Sequence, residues 1–288
     1  MPVPDSRSPL ARAATAAGAA APLIGPADPP PYEIYHPERV SRLLIVCDHA
    51  SRAIPAALGG LGLADAASRR HIAWDIGAAD LARALSDRLR APAVLAGYSR
   101  LVIDCNRRLE DPSCFLTVSD GDPVPGNVGL SPEAIRARAA ACYEPYHKAI
   151  AQRLRDVRRR GEVPALVAVH SFTPSMGGQA RPWHIGVLWD QDGRIPLPLL
   201  ERLRAEPGLV VGDNEPYSGR HPADYTVDRH AESAGLPHVC IEVRQDELGT
   251  PAGVGRWADI LGRALGAILA EDALYRIRDA REPRATGG

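Results

Sequence analysis

Several short runs in this sequence are apolar at nearly every position, among them LLIVC at 43–47, ALVAV at 165–169 and HVCIEV at 238–243. A strand with one face in water alternates polar and apolar residues, so uninterrupted runs of this kind require a sheet covered on both sides. Longer amphipathic segments separate them, and the alternation predicts α/β architecture. Strands are expected at 43–47, 93–96, 101–105, 165–169, 185–189, 209–211 and 239–243, and helices at 67–90, 132–159, 198–206, 224–234 and 252–270. The second helix has the clearest start: Ser131, Pro132 and Glu133 supply a cap, a first-turn proline and a first-turn acid. With no internal repeat and no composition break between 40 and 275, the expectation is one domain over 32–275 in three αβα layers, around a mixed, mostly parallel sheet.

The flanks read differently. Residues 1–31, with the tract ARAATAAGAAAPLIG and three consecutive prolines, carry too few large apolar side chains to offset ordering entropy, so a mobile extension is expected. A secretory signal would need a greasier centre than alanine and glycine provide. Residues 276–288 are expected to be a flexible tail. Thirty-four Lys+Arg against 35 Asp+Glu leave a net charge of -1, which gives no basic excess to hold nucleic acid or an acidic membrane. Five cysteines with no CxxC pair argue against a disulfide framework or a thiolate zinc site, and point to a reduced, cytoplasmic protein. No apolar run approaches the ~20 residues needed to span a bilayer.

In open α/β sheets ligands bind beyond the carboxyl ends of the strands, so the residues just past each apolar run are informative. LLIVC leads into Asp48 and His49, LVIDC into Asn106 and Arg107, and ALVAV into His170 and Ser171; Glu242 and Arg244 lie inside the last strand. Two neutral imidazoles and a carboxylate around one open position make a hydrolytic zinc site, in which the metal lowers the pKa of its water and polarises a carbonyl. Glu242 suits the separate role of general base. A buried charge is costly unless paired, and the competing reading is that Glu242 pairs with Arg244, two residues on and on the same face.

The stretches CDHASRAIP (47–55), WDIGAADLA (74–82), SRLVIDCNRR (99–108), VAVHSFTP (167–174), GDNEPYSG (212–219) and GLPHVCIEVRQDEL (235–248) together resemble the N-formylglutamate amidohydrolase family over most of 35–270. The resemblance implies a zinc-exopeptidase-like (phosphorylase/hydrolase-like) fold, related to the zinc carboxypeptidases. DCNR at 104–107 resembles their substrate-carboxylate Asn-Arg pair, His170-Ser171-Phe172 their last zinc ligand and its neighbours, and IEVR their catalytic-glutamate strand. By that similarity His49 is the first ligand. Where carboxypeptidases carry a ligand Glu three residues later, this chain has Arg52, which cannot bind a cation. Asp75 in WDIGA is the expected substitute, with Asp48 as runner-up, or else Asp75 only caps or salt-bridges its helix.

The implied activity is removal of a formyl or similar small acyl group from an N-acyl amino acid such as N-formyl-L-glutamate, with zinc as cofactor. Glu242 would be the base and Arg100 or Arg107 the oxyanion partner. Asn106 and Arg107 would grip a substrate carboxylate, and Arg244, Tyr217, Ser218 and His230 would line the site. His71, four residues before Asp75, is expected in a second shell or at the surface, 123–129 as a further rim loop, and His36, His147, His184, His221 and His238 as surface or packing residues. Other readings are a carboxypeptidase-like or acylamino-acid hydrolase, or a silent amino-acid-binding relative. The full set of His49, His170 and Glu242 speaks against the last.

Overall fold

The computed structural model describes residues 22–220 and 225–279. The expected N-terminal extension lies outside them as far as residue 21, the expected tail lies outside from residue 280, and so does His221. Residues 22–31 run against the body: Asp28 accepts from the Ala56 amide (2.9 Å), Gly97 N donates to Pro31 O (2.9 Å), and Ile24 packs on the core.

The strands are β1 (Tyr32–Tyr35), β2 (Leu43–Cys47), β3 (Ala93–Ala96), the hairpin β4 (Val118–Ser119) and β5 (Asp122–Pro123), β6 (Ala165–Phe172), the hairpin β7 (Ser175–Met176) and β8 (Gln179–Ala180), β9 (Ile185–Leu188), β10 (Val211–Asp213) and β11 (His238–Arg244). Seven of them form the main sheet in the order β1-β3-β2-β6-β11-β9-β10. β3, β2, β6 and β11 run parallel to one another, as do β9 and β10, whereas β1 against β3 and β9 against β11 are antiparallel. The helices are α1 (Asp65–Ser68), α2 (Ala78–Leu89), α3 (Pro132–Arg138), α4 (Glu144–Arg159), α5 (Pro196–Arg204), α6 (Tyr225–His230) and α7 (Pro251–Leu269). No helix among the described residues is long and apolar enough to cross a membrane.

Period-two alternation inside the apolar runs sends side chains to two separate cores. Leu43, Ile45 and Cys47 join Ala165, Val167, Val169, Val239 and Ile241 under α2, α5 and α7. Leu44, Val46, Leu166, Ala168 and Cys240 pack on the other face beneath α4 and α6. Both faces of the central strands are therefore dry, as their composition requires, and the fold is a mixed central sheet flanked by helices.

The structure departs from the sequence reading in a few places. Residues 101–105 are buried but form turns: Leu101 N donates to Ser99 Oγ, Val102 N to Ser99 O and Asp104 N to Cys114 O, so these amides are paired without a ladder. The helix expected over 67–90 is broken between α1 and α2. Gly77 there holds φ +80°, and a Cβ on it would sit 2.5 Å from Leu248 Cβ. Residues 132–159 are helical throughout, with a π-helical turn at Ala139–Tyr143 joining α3 to α4. The edge strand β1, half-buried along its length, has no counterpart in the sequence reading.

Candidate active site

β2, β6 and β11 are neighbours with a common direction, so the residues at their carboxyl ends meet at one rim. His170 lies in β6 directly across from Glu242 in β11. His49 stands just past β2. Asp75 is delivered by the broken helix: its amide donates to His49 O (2.9 Å), its carbonyl accepts from Ala78 N, and the turn through Gly77 lets α2 start immediately afterwards. Asp75 therefore precedes a helix rather than riding on one, and His71 shares no helical face with it.

Both imidazoles converge on one oxygen. His170 Nδ1 lies 2.8 Å and His49 Nδ1 3.3 Å from Asp75 Oδ2, and the three donor atoms fall within 4.8 Å of one another. Each ring is held from behind by another carboxylate. His49 Nε2 donates to Asp104 Oδ1 (2.7 Å) and His170 Nε2 donates to Asp48 Oδ2 (3.1 Å). An ionised carboxylate only accepts, so each Nε2 carries a proton for its outer carboxylate and each Nδ1 one for Asp75; a cation bound at the shared position would displace the Nδ1 protons and take the lone pairs they leave. The Nε2–H bonds to Asp104 and Asp48 are the outer-carboxylate contacts that histidine ligands ordinarily have, and they aim each Nδ1 at the shared position. The donor set of two imidazole nitrogens and a carboxylate suits zinc. The geometry places Asp75 among the candidate ligands and gives Asp48, the runner-up, the outer position behind His170.

Charge supports the same conclusion. Asp48, Asp75, Asp104 and Glu242 are all buried, with Arg100 as the nearby guanidinium: its Nε and Nη2 bind Asp104 Oδ2 (3.1 and 2.8 Å) and its Nη1 lies 3.5 Å from Asp75 Oδ1. Burial pushes the Asp75 carboxyl up, but the charge on His49 and hydrogen bonds from His170 and His49 outweigh it and hold the group far below the usual carboxylate range. Burial depresses His170, yet hydrogen bonds to Asp48 and Asp75 raise it well above its ordinary value. A site that makes buried imidazoles basic is one with surplus negative charge, and it favours a bound cation.

The group opens into a cavity of about 980 Å³. Arg100, Asn106, Arg107, Tyr217, Ser218 and Glu242 all line it, together with His71, whose Nε2 lies 3.4 Å from Asp120. Arg107 Nη1 donates to the neighbouring Asn106 carbonyl (2.9 Å), and the Tyr217 hydroxyl accepts from Arg181 (3.0 Å). Two expected lining residues are not brought there. Arg244 spends its fork on Asp246 (2.7 and 3.1 Å) and its remaining nitrogen on the carbonyls of 181–183, so it pairs with Asp246 rather than with Glu242. His230 is buried on α6 against His147 of α4 (3.0 Å). Loop 123–129 is likewise absent from the lining, which draws instead on Ser119 and Asp120 of the β4–β5 hairpin, while Asn127 is buried on the carbonyls of Leu101 and Leu116. Asp104, Tyr146 and Thr226 had no expected role, yet they support the group. Of these only Asp104, a charge inside an apolar run, left a signal in the sequence.

The profile of the N-formylglutamate amidohydrolase family matches residues 41–248. Among solved structures, a gene product from Agrobacterium tumefaciens is similar with a TM-score of 0.83 and 33% identity, over 86% of this chain and 98% of that one. An N-formylglutamate amidohydrolase from Ralstonia eutropha JMP134 shares the fold with a TM-score of 0.65 at 19% identity, over 84% of this chain and 98% of that one. No curated protein matches the chain.

Proposed function

The chain belongs to the N-formylglutamate amidohydrolase family and is a hydrolase of amide bonds, and from that premise we propose that it removes a formyl or similarly small acyl group from an N-acyl amino acid such as N-formyl-L-glutamate. The observation that carries the reading is the convergence of His49 Nδ1 and His170 Nδ1 on Asp75 Oδ2, with Asp104 and Asp48 fixing both rings from outside. These three residues would hold zinc, which when bound supplies Lewis acidity and a water whose pKa is lowered toward ~7.

The chain's own residues do the rest. Glu242, on the cavity wall across from His170, is the general base: it accepts the proton of the attacking water and returns it to the departing amine. Arg100, locked by Asp104, offers a fixed positive charge to the oxyanion that develops at the acyl carbon. Arg107, beside Asn106 on the wall, takes a substrate carboxylate through two parallel N–H groups.

The test is a panel of N-formyl, N-acetyl and N-succinyl amino acids assayed with added zinc, on wild type and Glu242→Gln. The expected result is turnover of the formyl substrates, with kcat lowered about 10²- to 10⁴-fold in the variant and its zinc retained. Loss of zinc from Glu242→Gln would make Glu242 a ligand instead of a base. Preference for a longer acyl group would favour an acylamino-acid hydrolase on the same scaffold.

A further inference from the structure

We propose that Thr226 is a positioning residue for the metal-ligating group, acting through Asp48 to fix the ring of His170; this rests on the reading that His49, Asp75 and His170 hold zinc. Asp48 has one oxygen on His170 Nε2. Its other oxygen, Oδ1, accepts the Thr226 hydroxyl at 2.6 Å and the Tyr146 hydroxyl at 2.9 Å. The threonine hydroxyl has a single proton. The Cys105 carbonyl, at 3.3 Å, competes poorly for it against a charged acceptor 0.7 Å nearer, so the hydroxyl donates to Asp48.

Thr226 has no exposed surface and Asp48 almost none. Valine would fill the same volume without a polar atom to satisfy. The hydroxyl is therefore tolerable in that dry setting because of its bond to Asp48, and the bond stiffens the carboxylate that holds the Nε2–H of His170 and with it the ring's orientation. The same residue has a second, separable contact. Its backbone amide donates to Asn106 Oδ1 at 3.0 Å, which fixes the orientation of the Asn106 amide on the cavity wall. Helix α6 is held for both tasks by packing of His230 on His147 (5.2 Å between centroids) and of Tyr225 on Tyr143 (6.2 Å). Thr226 thus serves the metal group through its side chain and the substrate wall through its backbone, so a side-chain substitution separates the two.

The experiment measures zinc affinity by competition with a chromogenic chelator, on the full chain, for wild type, His170→Ala, Thr226→Val and Thr226→Ser. His170→Ala is expected to lose zinc. Thr226→Val should bind it about 10- to 100-fold more weakly, and Thr226→Ser, which restores the hydroxyl, should return to within a few-fold of wild type. At saturating zinc, KM of Thr226→Val for an N-formyl amino acid should stay close to wild type, because the amide still holds Asn106. Should the valine variant fail to fold, Thr226→Ala removes the same hydroxyl and carries the same expectations. Wild-type zinc affinity in Thr226→Val, equal weakening in Val and Ser, or KM rising in step with the loss of zinc would each overturn the proposal, the last because a displaced α6 would release both contacts. Wild-type protein that binds no zinc, or zinc binding that survives His170→Ala, would instead overturn the metal reading and this proposal with it.

Discussion

Asp48 and His49 leave β2 as neighbours and, because successive side chains diverge, serve different parts of one group. His49 turns Nδ1 toward Asp75, while Asp48 backs the Nε2 of His170. This division makes a graded prediction. His49→Ala, Asp75→Ala and His170→Ala should each abolish zinc retention on dialysis. Asp48→Asn and Asp104→Asn, which keep the shape but lose the charge behind a ligand, should weaken zinc about 10- to 100-fold and leave it measurable by chelator competition. His49, His170 and Glu242 were legible in the sequence because each is a polar residue at or near the end of an otherwise apolar strand. Asp104 left only the faint signal of a charge inside an apolar run, and that run reads as one more strand, so nothing assigned it a role. The partners of Asp48 were beyond reach altogether: Tyr146 and Thr226 come to it from 98 and 178 residues away, and no local pattern encodes such a contact.

At the scale of elements, the least expected piece is the interrupted helix around Asp75. The interruption is concentrated at Gly77, where φ is +80° and a side chain would collide with Leu248. Gly77→Ala is expected to destabilise the fold by about 1–3 kcal/mol in urea titration and to weaken zinc binding at the same time, since Asp75 lies two residues upstream. The contact of α4 with α6 carries a pH signature. His147 Nε2 donates to the Cys105 carbonyl, so the neutral ring accepts at Nδ1 from His230 Nε2. Burial, then the neighbouring His230, pushes His147 down to about 3, and burial, then Arg229, pushes His230 down to about 4. Below about pH 6.5 the unfolded chain takes up these protons while the folded pair refuses them, so stability falls as pH drops from 6.5 toward 4. Urea midpoints across that range should slope less steeply in a His147→Gln/His230→Gln double variant; an unchanged slope would show that the pair does not titrate in this way. Strand positions were largely legible because burial on both faces leaves a nearly uniform apolar composition. Residues 101–105 carry the same composition in turns, since burial alone does not distinguish a strand from a well-satisfied irregular segment.

For the whole molecule, the sheet brings to one rim three donors that the chain keeps far apart: His49 and Asp75 are separated by 26 positions, Asp75 and His170 by 95. An ion gripped there would act as a clasp across three stretches of chain. No stretch could peel away by small steps and keep a share of the grip, because freeing one donor forfeits most of the coordination. Escape of the ion and opening of the central strands would then face a common barrier. Amide hydrogen exchange in β2 and β6 should accordingly slow together when zinc is added and quicken together when a chelator removes it. The peripheral β1, which supplies no donor, should change least.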